Sequence, residues 1–191
     1  YNVVCGCDEA GRGPLAGDVF AAAVIFDKDT VIEGINDSKK LTAKKREELF
    51  DEIMEKAVDF SIQTATVEEI EDINILNAAM LAMKRAVEDM DTKPDVCLID
   101  GNKTPEGLEC PAIAVVKGDA KSQAVAAASI LAKVARDRYM EQMAELYPEY
   151  RFEKHKGYGT KLHYQMIDQY GPCGIHRMSF LKKYYAKKNG H

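Results

Sequence analysis

The order of strand-like and helix-like segments is the feature that most constrains the fold of this chain. Five short runs of β-branched and small apolar residues have the pattern of strands: Val3–Cys7, Val19–Phe26, Phe60–Ala65, Val96–Ile99 and Ala112–Val116. Only the Gly- and Pro-rich segment GRGPLAG separates the first two runs, which predicts a hairpin. Three early strands followed by alternating helices and strands predict an α/β fold, a mixed five-stranded sheet flanked by helices.

The remaining segments have helical periodicity or strong helix propensity. Helices are predicted from Thr42 to about Ala57, and over Ile75–Met90, Ala120–Tyr147, Lys161–Tyr170 and Phe180–Lys188. The third is alanine-rich, and Pro148 is its stop signal. The chain has 191 residues, is 46% hydrophobic and contains no repeat or linker, so we expect one domain over 1–191 with a small helical C-terminal segment.

Membrane and secreted classes are not favoured by the sequence. No stretch approaches the roughly 18 consecutive apolar residues of a membrane span, and the N-terminus lacks the basic-then-apolar profile of a signal peptide. We therefore expect a cytoplasmic protein, and a monomer. The chain opens at Tyr1 and not at methionine, so we also expect residues before it in the natural protein. The five cysteines are scattered without a C-x-x-C pair, so we expect neither a disulfide framework nor a zinc site. Cys5 and Cys7 share one face of a strand, which predicts buried thiols there.

Charge is distributed unevenly along the chain. The net charge of −5 argues against a protein that coats nucleic acid nonspecifically. Positions 151–191 contain nine Lys and Arg against Glu153 and Asp168, a local +7, and subtracting this from −5 leaves −12 for the other 150 residues. Two interpretations stay open: the basic segment holds a phosphate backbone beside an acidic body, or it is a solvated helical surface.

Acidic residues occur where the predicted strands end. Asp8 and Glu9 lie side by side at the glycine-rich turn, a costly placement unless a cation binds there; alternatively, they face opposite sides of the strand and one is solvated. Asp100 ends an apolar strand, where α/β sheets place their sites, although Asp-Gly is also a common turn. Asp119 precedes the long helix. It either belongs to the same site as the other acids or is the N-cap of that helix. Mg²⁺ prefers such oxygen ligands.

Seven motifs, in order and over nearly the whole chain, resemble the ribonuclease HII family. They are Cys7–Gly17 (CDEAGRGPLAG), Asp37–Leu41 (DSKKL), Ile99–Gly101 (IDG), Lys117–Asp119 (KGD), Ala127–Val134 (AASILAKV), His155–Thr160 (HKGYGT) and His176–Phe180 (HRMSF). The resemblance implies an RNase H-like fold and an endonuclease that cuts the RNA strand of RNA–DNA hybrids. It also implies incision 5′ to ribonucleotides embedded in duplex DNA, leaving 3′-hydroxyl and 5′-phosphate ends.

The resemblance further implies a catalytic, metal-binding set that uses Mg²⁺ or Mn²⁺ in two-metal hydrolysis without a covalent nucleophile. The set is Asp8, Glu9, Asp100 and Asp119. Asp137 is a competing fourth acid, but eighteen positions separate it from Asp119 (137 minus 119), about 27 Å along a continuous helix. Both acids cannot ligate one metal pair, so we predict Asp119 as the ligand and a helix-surface ion pair for Asp137.

Substrate recognition must read the 2′-hydroxyl, the group that separates RNA from DNA. The family resemblance assigns this to the loop Gly11, Arg12, Gly13, where missing side chains let the backbone approach the sugar; alone, Gly-x-Gly more often marks a turn. Tyr158 lies between two glycines, and either its ring stacks while its hydroxyl bonds the 2′ position or it is a packed loop residue. The predicted phosphate contacts are Lys39, Lys121, Ser122 and Lys156, with Lys40 and Thr160 as further candidates.

Three alternative functions remain open. Ribonuclease HIII shares the catalytic pattern but usually carries an additional N-terminal substrate-binding domain. Another RNase H-like nuclease, such as a resolvase or integrase, would share the acids and not need ribose-reading residues. A noncatalytic hybrid-binding module would find the acid cluster repulsive toward phosphate.

Overall fold

The computed structural model describes residues 1–190, and at positions 37–39 it describes the backbone but not the side chains. The strands are β1 (Val4–Ala10), β2 (Val19–Ile25), β3 (Asp59–Ala65), β4 (Val96–Asp100) and β5 (Ala112–Val115). The helices are α1 (Ala43–Lys56), α2 (Val67–Ile73), α3 (Ile75–Asp89), α4 (Gly118–Lys121), α5 (Gln123–Leu146), α6 (Phe152–His155), α7 (Lys161–Tyr170) and α8 (Met178–Gly190). Short 3₁₀ turns cover Ile35–Lys40 and Pro148–Tyr150.

The five strands form one mixed sheet in the order β3-β2-β1-β4-β5. β1 pairs with β2, and β2 with β3, in antiparallel fashion. β1 pairs with β4, and β4 with β5, in parallel. The predicted hairpin and the mixed sheet are therefore confirmed. Helices α2 and α3 form the crossover that places β4 parallel to β1, and the loop over 101–111 connects β4 to the parallel β5.

Helices cover both faces of the sheet, as the fully buried sequence of β2 requires. Ala21 and Ala23 of β2 face the cluster formed with α3, whereas Ala22 and Val24 face the cluster formed with α1 and α5. The small side chains on both faces of β2 let the helices pack close to the sheet. At Gly6 of β1, a Cβ atom would lie 2.2 Å from the backbone of α5.

The long helix begins three residues later than the alanine pattern predicts. Ser122 is extended (φ −131°, ψ 126°), and its side-chain oxygen accepts the Val125 N–H as the N-cap of α5. A separate short helix, α4, precedes it and starts after Lys117, which has a left-handed backbone (φ 55°). Asp119 lies in α4, so the alternative that it caps the long helix is wrong.

The end of β1 and the helix α2 also differ from the sequence pattern. β1 continues to Ala10, so Asp8 and Glu9 are strand residues and not turn residues. Helix α2 was not predicted, although Thr66 and Glu69 form a reciprocal capping box at its start. A Thr-x-x-Glu spacing was the signal available in the sequence.

The structure also bears on the predictions about cysteines and membrane spans. All five cysteines are free thiols, and Cys5 and Cys7 are completely buried on one face of β1. Within residues 1–190, no helix has both the length and the apolar character that crossing a bilayer demands.

We predict that Gly6→Ala destabilises the protein by about 2 kcal/mol or more, because the added methyl overlaps the backbone of α5. Gly13→Ala is the matched control, since its nearest neighbour would be 3.8 Å away. Urea unfolding of both variants measures the difference. Equal stability of the two variants would mean that β1 and α5 are not in such close contact.

Candidate active site

The pairing of β1 with β4 brings the acids of the two strands together. The parallel register joins Cys5 to Cys97 and Cys7 to Ile99, and its continuation places Asp8 beside Asp100. Neighbouring strands lie about 4.8 Å apart. Asp100 ends β4, and its Oδ1 accepts the Gly118 N–H at 2.7 Å. This bond connects the start of α4, and therefore Asp119, to the same end of the sheet.

The four predicted acids influence one another electrostatically. Burial raises the pKa of Asp8 well above its ordinary value, and the charges of Glu9 and Asp100 raise it further. Burial also raises the pKa of Asp100, where the Gly118 N–H opposes the shift and the charges of Asp119 and Glu9 add to it. The acids therefore form one group of like charges, whose mutual repulsion a bound cation would relieve.

Neither carboxylate of the Asp8-Glu9 pair is solvated, so that alternative from the sequence is wrong. Asp8 is 7% exposed, and the side chain of Glu9 is 13% exposed. Oε1 of Glu9 lies 3.4 Å from the Arg12 guanidinium. Oε2 is buried and has no hydrogen-bond partner within residues 1–190. A buried, unpaired carboxylate oxygen is costly and fits an oxygen-preferring divalent cation.

In the described part of the chain, the side chains of the acids do not have the arrangement of a metal site. Across the part of the chain that the structure describes, no three His, Cys, Asp or Glu side chains already stand at the spacing of a metal site. The fit to a cation thus depends on the oxygen donor set, on the unpaired Oε2 of Glu9 and on the raised pKa of Asp8 and Asp100.

Two cavities meet at Glu9 and Arg12. The smaller, about 170 Å³, is also lined by Asp100 and Lys103. The larger, about 380 Å³, is lined by the predicted ribose-reading residues together with two residues of α5: Gly11, Gly13, Tyr158, Ser129 and Lys133. Acids and predicted recognition residues therefore share one continuous surface. A separate cavity of about 450 Å³ beside α3 contains none of the predicted site residues.

The glycine-rich loop has the conformation that glycine allows. Gly11 is buried with φ +95°, and a Cβ there would lie 2.1 Å from the Arg136 side chain. The loop therefore passes directly over Arg136, and no other residue fits at this position. Arg12 next to it is exposed and turns its guanidinium toward Glu9.

Two completely buried arginines hold this loop by its carbonyl groups. Arg177 donates to the carbonyls of four loop residues: Gly11, Arg12, Pro14 and Gly17. Arg136 donates to the carbonyls of Ala16, Asp18 and Lys156. In the sequence, Arg177 belongs to the basic segment and to the HRMSF motif, and neither indicates that it is buried. Its burial, at 0% exposure, makes it a structural residue that cannot contact phosphate.

The second loop, which carries Tyr158, is tied to the first. The Leu15 N–H donates to the Gly157 carbonyl at 2.8 Å, and Arg136 reaches the neighbouring Lys156 carbonyl. The Tyr158 ring is 40% exposed, with the Arg136 guanidinium and the Lys133 ammonium 5.9 and 5.8 Å from its centroid. The ring faces the larger cavity and is not enclosed by protein.

The other predicted contacts differ in their exposure and in their partners. Lys121 is exposed at the end of α4, and Ser122 caps α5. The Lys156 ammonium turns back to the Glu153 carbonyl at 2.6 Å and toward Glu141. Lys40 is exposed, Thr160 caps α7, and the side chain of Lys39 lies outside the described residues.

Helix α5 carries Asp137 and three further residues near the site. Asp137 forms an ion pair with Lys133 at 3.0 Å, one turn earlier on α5, which agrees with the predicted helix-surface role. Arg136, Ser129 and Lys133 were not singled out. Arg136 lies four positions after Ala132 and four before Met140, both buried, and this helical spacing was the signal in the sequence.

Comparisons with known proteins identify the family. A family model described as Ribonuclease HII matches residues 5–183. The ribonuclease HII of Caldicellulosiruptor saccharolyticus is 57% identical over 182 residues, which cover 95% of this chain and 88% of that protein. The ribonuclease HII of Idiomarina loihiensis is 59% identical over 178 residues, covering 93% and 95%. The solved structure of ribonuclease H2 from Pyrococcus horikoshii OT3 has a TM-score of 0.81 at 29% identity, covering 99% of this chain and 100% of that one.

These similarities extend over the sheet, the flanking helices and all four acids, and they confirm the RNase H-like α/β fold. They also decide against ribonuclease HIII and against other RNase H-like nucleases as the family. A noncatalytic binding module is excluded as well, because the matched family consists of nucleases that hydrolyse the RNA of RNA–DNA hybrids with the help of metal. The chain therefore belongs to the ribonuclease HII family.

Proposed function

We propose that this enzyme cuts the RNA strand of RNA–DNA hybrids and also incises 5′ to single ribonucleotides in duplex DNA. Both reactions leave 3′-hydroxyl and 5′-phosphate ends. One observation carries the proposal: the four mutually repelling acids adjoin, through Glu9 and Arg12, the cavity lined by Gly11, Gly13 and Tyr158. Phosphodiester hydrolysis and recognition of a single ribose can therefore take place at one location.

The acids would hold Mg²⁺ or Mn²⁺ in a two-metal centre made of Asp8, Glu9, Asp100 and Asp119. Divalent cations at such a site activate water and stabilise the charge that develops on the phosphate and the departing 3′ oxygen. The protein's own contribution is to fix the ligands. Asp100 is oriented by the Gly118 N–H, and Asp8 by the Glu9 N–H at 2.8 Å.

The ribose would be read by the backbone of Gly11, Arg12 and Gly13 together with Tyr158. The loop backbone is held from below by Arg136 and Arg177, so its exposed side is free for a sugar. The Tyr158 ring can lie against the sugar or base, and its hydroxyl can bond the 2′-hydroxyl. A deoxyribose would leave that hydroxyl without its partner.

The duplex backbone would be held by cations around this surface. We assign Lys39, Lys121, Ser122 and Lys156 as phosphate contacts, and we include the exposed lysines of α8 in a substrate-contacting segment over 151–191. The whole of 1–191 acts as one catalytic domain. We propose that it works as a monomer in the cytoplasm, where its nucleic acid substrates are found, and without membrane attachment.

The first prediction concerns the metal ligands. Asp100→Asn should lower kcat/KM on a duplex with one embedded ribonucleotide by on the order of 10²-fold or more, because a ligand that helps to stabilise transition-state charge is lost. Asp137→Asn is the matched control, since Asp137 pairs with Lys133 on the helix surface, and it should keep most of the activity. Cleavage with and without Mg²⁺, and with Mn²⁺, is measured for both variants after circular dichroism shows that they are folded. Full activity of Asp100→Asn, or activity without divalent metal, would refute the proposed centre.

The second prediction concerns the ribose. Tyr158→Phe keeps the ring and removes the hydroxyl, so kcat/KM on the single-ribonucleotide duplex should fall by the equivalent of about 1–3 kcal/mol. Tyr158→Ala should lose the ring contact as well and fall further. If all three proteins cleave this duplex equally well, Tyr158 does not read the ribose, and recognition depends on the glycine loop alone.

A further inference from the structure

We propose that His163 and His176 are positioning residues for Tyr158, which they hold through a chain of hydrogen bonds in fixed tautomers. The inference rests on the proposed role of Tyr158 in reading the ribose. Neither histidine contacts the cavity, because His163 is 0% and His176 3% exposed. Their effect on the reaction must therefore pass through the backbone of the loop that carries Tyr158.

The chain of hydrogen bonds runs from the C-terminal segment to the Tyr158 carbonyl. The Cys173 N–H donates to Nδ1 of His176 at 2.8 Å. Nε2 of His176 lies 2.9 Å from Nε2 of His163. Nδ1 of His163 lies 2.9 Å from the carbonyl oxygen of Tyr158.

These partners allow only one assignment of protons in the neutral rings. A carbonyl oxygen only accepts, so Nδ1 of His163 carries the proton, and its Nε2 must be an acceptor. The Cys173 amide only donates, so Nδ1 of His176 is an acceptor, and the proton of that ring is on Nε2. His176 Nε2–H then donates to His163 Nε2, and every ring nitrogen is paired.

A third buried histidine holds the residue before Tyr158 in the same way. His155 donates from Nε2 to the Tyr150 carbonyl at 2.7 Å, and its Nδ1 accepts the Gly157 N–H at 3.1 Å. Its ring stacks on that of His163 with centroids 4.1 Å apart. Gly157 has φ +92°, and a Cβ there would lie 2.7 Å from the Ala16 carbonyl oxygen. The backbone at Gly157 and Tyr158 is thus held at two points: His155 accepts the Gly157 N–H, and His163 donates to the Tyr158 carbonyl.

Burial favours the neutral form of all three rings, which the hydrogen-bond chain requires. Burial lowers the pKa of His163 and of His176 to about 4 in each case. Burial also lowers the pKa of His155. A second proton on any of the three rings would occupy a nitrogen that now accepts, and it would break the chain at that point.

Two substitutions at one position separate positioning from general packing. In His163→Asn, the amide nitrogen takes the place of Nδ1 and still donates to the Tyr158 carbonyl, but the bond to His176 is lost. In His163→Gln, the amide reaches the place of Nε2 and keeps the bond to His176, but the bond to Tyr158 is lost. His163→Asn leaves the Nε2–H of His176 without an acceptor, whereas in His163→Gln the Tyr158 carbonyl still accepts the Thr160 N–H at 2.9 Å. The free energy of unfolding of both variants is therefore measured beside their activity.

The experiment measures kcat and KM on a duplex with a single ribonucleotide, in the wild-type and the Tyr158→Phe backgrounds. We expect His163→Gln to lower kcat/KM on the order of tenfold or more in the wild-type background, as small displacements of a positioned group do. His163→Asn should stay within about threefold of wild type, the change expected from minor repacking. With Phe at 158 the effect of His163→Gln should become smaller, because the hydroxyl that it misplaces is already absent and only the ring contact remains.

The outcomes distinguish this inference from the proposed function. Equal activities of His163→Asn and His163→Gln, or an undiminished effect of His163→Gln in the Tyr158→Phe background, overturn the positioning role alone. An unaffected Tyr158→Phe enzyme overturns the proposed ribose reading, and the inference with it. Nitrogen NMR of the unmodified protein gives a test that needs no variant: the inference requires protonated Nδ1 in His163 and protonated Nε2 in His176. The opposite tautomer in either ring would contradict it.

Discussion

The parallel pairing of β1 with β4 is the constraint on which the rest of the site depends. It places Asp8 beside Asp100 at one end of the sheet, where Glu9 and Asp119 add further negative charge. Burial makes this repulsion stronger, because little water is present to screen it. The fold tolerates the repulsion between these acids because apolar clusters pack on both faces of the sheet. Relief of this repulsion by the proposed cation would link the stability of the protein to its chemistry.

The glycine-rich loop depends on a second interaction, between buried guanidinium groups and backbone carbonyls. Burying a charged arginine is costly unless its donors are satisfied, and Arg136 and Arg177 each bond several carbonyl groups. Arg177 comes from the C-terminal segment, about 160 positions from the loop that it supports. One residue of the basic segment, Arg177, therefore supports the loop from inside, and the exposed lysines of α8 remain proposed phosphate contacts.

Much of this could be predicted from the sequence because the signals are local. Apolar runs gave the five strands, and Asp100 at the end of β4 follows from the strand pattern and the Asp-Gly that ends it. The break at Ser122 was missed because alanine propensity hides a cap within a helical pattern. The roles of Arg136, Arg177 and His163 could not be inferred, because each depends on contacts with residues that are distant in the chain or on burial. A sequence shows that such residues are charged or titratable, but it does not show what surrounds them.

Neutralising one acid should stabilise the metal-free protein if the acids repel one another as described. Asp100→Asn removes a charge and keeps an oxygen that can accept the Gly118 N–H. The most direct measurement is thermal unfolding of the wild type and of this variant, in EDTA and in excess Mg²⁺. We expect the variant to have the higher Tm in EDTA, by a few degrees or about 1 kcal/mol, and the Mg²⁺-induced rise in Tm to be large only in the wild type. A variant with a lower Tm in EDTA and an equal response to Mg²⁺ would contradict the account.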